Sequence, residues 1–234
     1  MSVKAIQSQL KKLANKEKAK VLQRFFKTGR GEYGEGDIFM GIKVPELRQV
    51  AKENADITLK ECGKLLSSKF HEERMLAMLI LIQKFTKGDE TDKAEIYQFY
   101  MCNRKQINNW DLVDVSAPHI VGNYLLGKST KELQTLSRSK NIWDRRIAIL
   151  ATFSFIKSNR YSDTLRISKK LLADKEDLMH KAVGWMLREV GKRDIKTEET
   201  FLKAYYKKMP RTMLRYAIER FPEDKRQKYL KGEI

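Results

Sequence analysis

Proline and glycine are scarce in this chain, at 4 and 12 of 234 residues, and no stretch alternates apolar and polar residues as a half-buried strand does. The shortage of breakers and of strand patterning excludes a β-rich fold and predicts an all-α protein. Cysteine is rarer still. Cys62 and Cys102 stand far apart, outside any CxxC or Cys/His spacing, which excludes a disulfide framework and predicts two ordinary buried thiols. His71, His119 and His180 are scattered along the chain, so neither a metal centre nor a cofactor is expected. No run of eighteen apolar residues is available to span a bilayer, and Met1-Ser2-Val3-Lys4-Ala5-Ile6-Gln7 lacks the apolar core of a signal peptide; the expectation is a cytoplasmic protein, in a bacterium one of the cytosol or nucleoid. Negative charge is also in deficit. With 30 Asp+Glu against 48 Lys+Arg, the formal net charge is +18 and the pI near 9.8, which calls for a polyanionic partner: nucleic acid first, with a membrane surface the rival that the missing apolar run argues against. The same excess opposes self-association, so a monomer is expected.

Hydrophobic residues make up 41% of the chain, enough for a substantial core, and the length permits one elongated domain over 1–234. Residues 4–13 and 16–27 read as a first helical pair, the second carrying Val21, Leu22, Phe25 and Phe26 at helical spacing. The segment Thr28 to Asp37 places four glycines in eight positions around Tyr33; it lacks a phosphate-binding GKS/T, and reads either as a tyrosine-tipped loop near a ligand or as a plain connector. Pro45 belongs in the first turn of the next helix, and Thr58 is placed to cap the one after it.

From residue 71 the pattern repeats. Aligning Arg74-Met75-Leu76-Ala77, Trp110-Asp111-Leu112-Val113, Arg145-Arg146-Ile147-Ala148, Lys181-Ala182-Val183-Gly184 and Leu214-Arg215-Tyr216-Ala217 gives offsets of 36, 35, 36 and 33 residues. Stretches 91–106, 129–138, 161–173 and 197–209 supply the intervening helices. Two-helix units of this length stack as an α-solenoid, because none buries its apolar face alone, and a curved stack has a concave face, here a basic one. After each aligned quartet come Met78, Asp114, Ile149, Trp185 and Ile218, so Asp114 and Trp185 break an aliphatic position.

Asp114 lies four residues after Trp110, on the same side of one helical turn, and Pro118 cannot donate to the Asp114 carbonyl, so the helix is expected to kink there. A structural ion pair for Asp114 and a core role for Trp110 are the bland alternative. One unit later come Arg145 and Arg146, and one further Trp185. On Trp110-Asp111-Leu112-Val113-Asp114, Ser116-Ala117-Pro118-His119, Arg145-Arg146 and Trp185, the chain resembles the HEAT-like-repeat DNA alkylation repair glycosylases of the AlkD-like type, over nearly its whole length.

The resemblance implies that Asp114 is the catalytic carboxylate, that Trp110 and Trp185 line the lesion pocket, and that Arg145 or Arg146, with Arg146 favoured, holds the DNA backbone. Where such enzymes place a tyrosine from an N-terminal helix, this chain offers Phe25 and Phe26, followed by the loop with Tyr33; Phe26 keeps an apolar contact, while a hydroxyl contact requires Tyr33 to supply it. Lys181, Lys192 and Arg193 are candidates for further backbone contacts. The expected partner is double-stranded DNA bearing alkylated bases, with no cofactor or metal. Relatives that bind branched DNA without glycosylase activity give the alternative of a catalytically inactive DNA binder, and a protein-binding helical scaffold is a third. The chemistry suits the residues: an N3- or N7-alkylated purine leaves as a neutral base without general acid help, while an ionised aspartate stabilises the oxocarbenium-like sugar. Indole faces attract a cationic base by about 0.5–2 kcal/mol each. The resemblance further implies that the lesion stays stacked rather than flipped.

Overall fold

The computed structural model describes residues 2–234. Among them are fifteen α-helices with short 3-10 turns, and the extended pairing is a single bridge between Ile38 and Phe70. The helices are α1 (Val3–Leu13), α2 (Lys16–Phe25), α3 (Val44–Glu53), α4 (Leu59–Leu66), α5 (His71–Lys87), α6 (Glu90–Asn103), α7 (Trp110–Ser116), α8 (Asn123–Leu125), α9 (Lys131–Leu136), α10 (Ile142–Lys157), α11 (Ser162–Lys170), α12 (Asp177–Gly191), α13 (Ile195–Tyr205), α14 (Arg211–Ala217) and α15 (Glu223–Lys231). The fold is all-α, as expected. The aligned quartets fall in α5, α7, α10, α12 and α14, and the four intervening stretches become α6, α9, α11 and α13. Local chemistry sets several boundaries. Thr58 accepts the Glu61 N–H at 3.2 Å while the Glu61 carboxylate accepts the Thr58 N–H at 2.8 Å, which satisfies two of the donors a helix start leaves open. Pro45 sits in the first turn of α3, where its missing N–H is not needed.

The chain divides into two compact units, the first ending at Ser116 and the second running Ala117–Ile234. In the first, α5 is the centre, packed by α3, α4, α6 and α7. Every residue from His71 to Leu81 is buried, including the charged opening His71-Glu72-Glu73-Arg74. Charges taken out of water need partners. Glu72 accepts the backbone N–H groups of Met40 at 2.8 Å and Gly41 at 2.7 Å, Glu73 accepts from Gln7 Nε2 at 2.8 Å, and Arg74 donates to the Ser68 carbonyl at 3.0 Å and pairs with Asp37. By contrast α2 buries none of its residues: Val21 and Phe25 are 58% and 61% exposed and face a cleft of about 780 Å³. One expectation fails here. Cys62 is buried, but Cys102, near the end of α6, is exposed, because it lies on the face of that helix opposite the buried Ile96, Tyr97 and Tyr100.

In the second unit α10 packs on α12 and α12 on α14, with the small residues of the repeat, Ala148, Gly184 and Ala217, buried at the contacts. The kink expected at Pro118 falls just past the end of α7, at the division between units. Pro118–Gly122 forms a widened turn closed by the Gly122 N–H on the Ala117 carbonyl at 2.9 Å, and Ser154 Oγ donates to the Pro118 carbonyl at 2.6 Å. A Cβ on Gly122 would meet the Ala151 carbonyl, so glycine is what lets this turn lie against α10.

Glu198 of α13 is 1% exposed, and its Oε1 has no hydrogen-bond partner. Burial, with Glu199 adding repulsion and Arg188 opposing, pushes its carboxyl up to about 8. The folded value lies above the unfolded one, so its contribution to stability is complete below about pH 4.5 and is lost as pH rises towards 8. Glu198→Gln is therefore expected to stabilise the second unit above pH 8 and not at pH 4.5. The gain is about 1–2 kcal/mol, less than the full linkage because a buried amide also lacks a partner. Urea unfolding of both proteins at the two pH values measures it; equal differences at both would remove the charge from the explanation.

Candidate functional site

α7 opens the first unit's candidate site. Its start is set by side chains at its own head: Asn109 Oδ1 accepts the Trp110 N–H and Asp111 Oδ1 the Leu112 N–H, both at 2.8 Å. The Trp110 ring is half-buried and lies flat on Phe26, with centroids 5.2 Å apart and planes 13° apart; Phe25 meets it edge-on at 6.2 Å. Phe26 is covered on its other face by Phe39 at 4.7 Å, so the outward ring of the pair is Phe25. Tyr33 comes to the same corner, its hydroxyl 3.4 Å from the Phe25 carbonyl. Asp114 is half-buried one turn beyond Trp110, where the equivalent Met78, Ile149 and Ile218 are fully buried. Behind it α6 packs through Tyr100, whose hydroxyl is bonded to Ser116 Oγ at 3.0 Å; burial and then the Asp114 charge push that phenol upward, against the Ser116 bond.

Beneath the aromatic rings lies a set of charges that no spacing in the sequence announces. Asp37, the last residue of the glycine-rich loop, is 4% exposed and accepts from His71 Nδ1 at 3.0 Å, from Asn109 Nδ2 at 2.9 Å and from Arg74. The other ring nitrogen, His71 Nε2, bonds Asp111 at 2.8 Å. Burial alone would raise the Asp37 carboxyl, but the His71 bond and the Arg74 charge hold it below the usual aspartate value. Burial likewise pulls His71 down, and the two carboxylates more than reverse this, lifting it to about 9. The loop is thus pinned at its end. Within it the Gly29 and Gly31 N–H groups donate to Glu32 and Glu35, both at 2.8 Å.

In the second unit Trp185 is half-buried on α12, 6.0 Å from Phe153, with its indole N–H donating to Glu189 at 3.2 Å. Glu189 also takes Lys192 at 2.6 Å and lies 3.9 Å from Arg193, so three of the expected contacts gather on one acid. Lys181 pairs with Asp177 at 2.7 Å. Arg145 is held bidentate by Asp174, at 2.7 and 3.2 Å, and donates to the Ser139 and Lys140 carbonyls; Arg146 is 4% exposed and donates to the Leu178 carbonyl at 2.6 Å. Elsewhere on this unit like charges crowd: some desolvation, then Arg138 and Arg166, hold the Lys170 ammonium below the usual lysine value.

The sequence pattern therefore marked Asp114 and Trp185, both half-buried where Met78, Ile149 and Ile218 are buried, and Trp110 one turn before Asp114. It missed Asp37, His71, Asn109 and Asp111, and the acids Asp174 and Glu189 that take up the cations. A run of four charged residues entering an apolar helix, 71–74, was the one available signal.

No helix of the described residues is long and apolar enough to cross a membrane. Among solved structures, the chain is similar to one described as a predicted DNA alkylation repair enzyme from Enterococcus faecalis, at 17% identity and a TM-score of 0.68 over 90% of this chain and 97% of that one. It is also similar to AlkD2 from Streptococcus mutans, at 19% identity and a TM-score of 0.52 over 89% and 99%. These likenesses concern the helical-repeat fold. No curated protein sequence matches the chain. The sequence profile of the DNA alkylation repair enzymes matches residues 6–221, and on that match the chain belongs to the DNA alkylation repair enzyme family.

Proposed function

We propose that the protein is a monofunctional, metal-independent DNA glycosylase that removes N3- and N7-alkylated purines from double-stranded DNA in base excision repair. The observation that carries this reading is the placement of Asp114, a half-buried carboxylate one turn beyond a half-buried indole, where three of the other four units bury the aliphatic Met78, Ile149 and Ile218. A carboxylate there opposes the positive charge that develops on the deoxyribose, and the Trp110 face favours a cationic base. Trp185 serves as a further lesion contact on its own unit. For the DNA backbone, Arg145 and Arg146 have roles as positioning groups at most, given their protein partners, and Lys181, Lys192 and Arg193 are the more open candidates. The family match runs across the division between the units, which supports treating 1–234 as one functional domain. In this reading it works as a monomer in the cytoplasm, the net charge of +18 opposing self-association.

Incubation of N7-methylguanine-containing duplex with the parent protein and with Asp114→Asn tests the proposal. Free base is expected from the parent, with release slowed about a hundredfold in the variant and duplex affinity retained. Unchanged release takes Asp114 out of the mechanism. Tight binding with no release by either protein replaces the proposal with that of a non-catalytic binder of damaged or branched DNA.

The crowding around Lys170 supports a polyanionic partner, and binding should weaken steeply with salt. Removing Arg138 and Lys170 together is expected to reduce the slope of log affinity against log salt by about 2, roughly one for each phosphate contact. A slope equal to the parent's would place the DNA on another face.

A further inference from the structure

The buried charges under Trp110 are more than the core of the first unit requires, since apolar residues of similar volume hold a core as well as a buried ion pair does. What ion pairs add is direction, and every contact made here is aimed at one place. Asp37 brings the end of the glycine-rich loop, His71 and Arg74 bring α5, and both contacts to α7 fall on the neighbours of Trp110, namely Asn109 and Asp111. The rings above are ordered by the same group: His71 stacks on Phe39 at 4.4 Å, Phe39 on Phe26, and Phe26 on Trp110. We infer that Asp37, His71 and Asp111 form a clasp that holds the Trp110 indole flat on Phe26 at the head of α7, with His71 as the positioning residue for that ring. The use of this clasp in base release rests on the reading of Trp110 as a lesion contact; the clasp itself does not.

The clasp needs a charged imidazole. Both ring nitrogens face carboxylates, so both must carry protons, and the two cations His71 and Arg74 then balance Asp37 and Asp111. Of the other charged groups around it, Glu72 is spent on the backbone N–H groups of residues 40–42, Glu73 on Gln7, and Glu17, Lys18 and Lys43 line the rim of the adjoining cleft. When His71 loses its proton, one nitrogen lone pair faces a carboxylate. Arg74 and Asn109 still hold Asp37, so the end that opens is Asp111, which is 17% exposed and borders the cleft that gives water its path. Release of Asp111 removes one of the two ties on the head of α7, leaving it held by the Asn109–Asp37 bond alone. The imidazole sits near 9, above its unfolded value near 6.5, so the stability it contributes is complete below about pH 6.5 and is lost as pH rises through 9.

The test uses the full chain carrying Trp143→Phe and Trp185→Phe, which leaves Trp110 as the one indole. Acrylamide quenching of its emission, measured between pH 6 and 10, is expected to rise with a midpoint near 9. In the same background His71→Gln should show no such transition and should be as easily quenched at pH 7 as the parent at pH 10. Asp111→Asn, which keeps the shape and the His71–Asp37 pair, should move the midpoint to lower pH and supplies the readout if the His71 variant does not fold. Quenching that stays flat in the parent, or an unaltered midpoint in Asp111→Asn, overturns the clasp. With all three tryptophans in place, His71→Gln is expected to slow release of methylated base by about tenfold without changing affinity for undamaged duplex, as a misplaced rather than missing contact would. Equal release with the expected titration overturns its role in the reaction, whereas absence of release by the parent removes the glycosylase reading and leaves the quenching to decide the clasp.

Discussion

Asp37→Ala is expected to destabilise the first unit by about 3–5 kcal/mol, the range seen when one partner is removed from a buried ion pair. The side chain is 4% exposed and serves three donors at once, His71, Asn109 and Arg74. Its loss leaves the Arg74 guanidinium, itself 4% exposed and already lacking a partner for Nε, without a counter-charge and held only by the Ser68 carbonyl. The loop from Thr28 to Asp37 loses its anchor at the same time. An amide is a milder change: Asp37→Asn keeps shape and one acceptor, so it should fall between the parent and the alanine variant. Thermal unfolding followed by circular dichroism should show the transition of the alanine variant lowered by roughly 10 °C. A shift of less than 2 °C would mean that solvent enters the network and that its charges are not truly buried.

Gly184→Val should lower the stability of the second unit by about 2–3 kcal/mol, mostly through overlap rather than through altered helix propensity. A Cβ at Gly184 would fall 2.6 Å from the Tyr216 Cβ and meet the Met213 carbonyl, both on α14. Neither obstacle is the far end of a flexible chain, so the helices must separate. They have little freedom to do so, because α12 is packed on its other side by α10. Gly184→Ala should show the same effect at smaller size, although alanine is the better helix former in isolation. Urea unfolding of the two variants decides it, and an alanine variant as stable as the parent would show that α14 yields easily.

The architecture was largely legible because helices and their stacking are written in local periodicity. The Thr58 cap, the first turn at Pro45 and the disturbance of the helix at Pro118 each depend on residues within a few positions of one another, the repeat offsets on spacing along the chain, and each recurs in the folded chain. Asp114 and Trp185 stood out for the same reason, as departures from a position that the repeat otherwise keeps aliphatic. Charge carries no such period. Nothing near Arg145 in the chain says that its guanidinium will be taken by Asp174, 29 residues on, and nothing near His71 says that its two nitrogens will find acids 34 residues before it and 40 after. Cys102 shows the limit in another form, since which side of α6 faces water depends on what packs against it. The sequence alone determined an all-helical repeat with a marked carboxylate and a large positive charge. Which ionised groups would be neutralised inside, and which left facing outward, was decided by tertiary structure, because a buried charge is tolerable only beside a partner and that partner is brought by folding from a distant part of the chain.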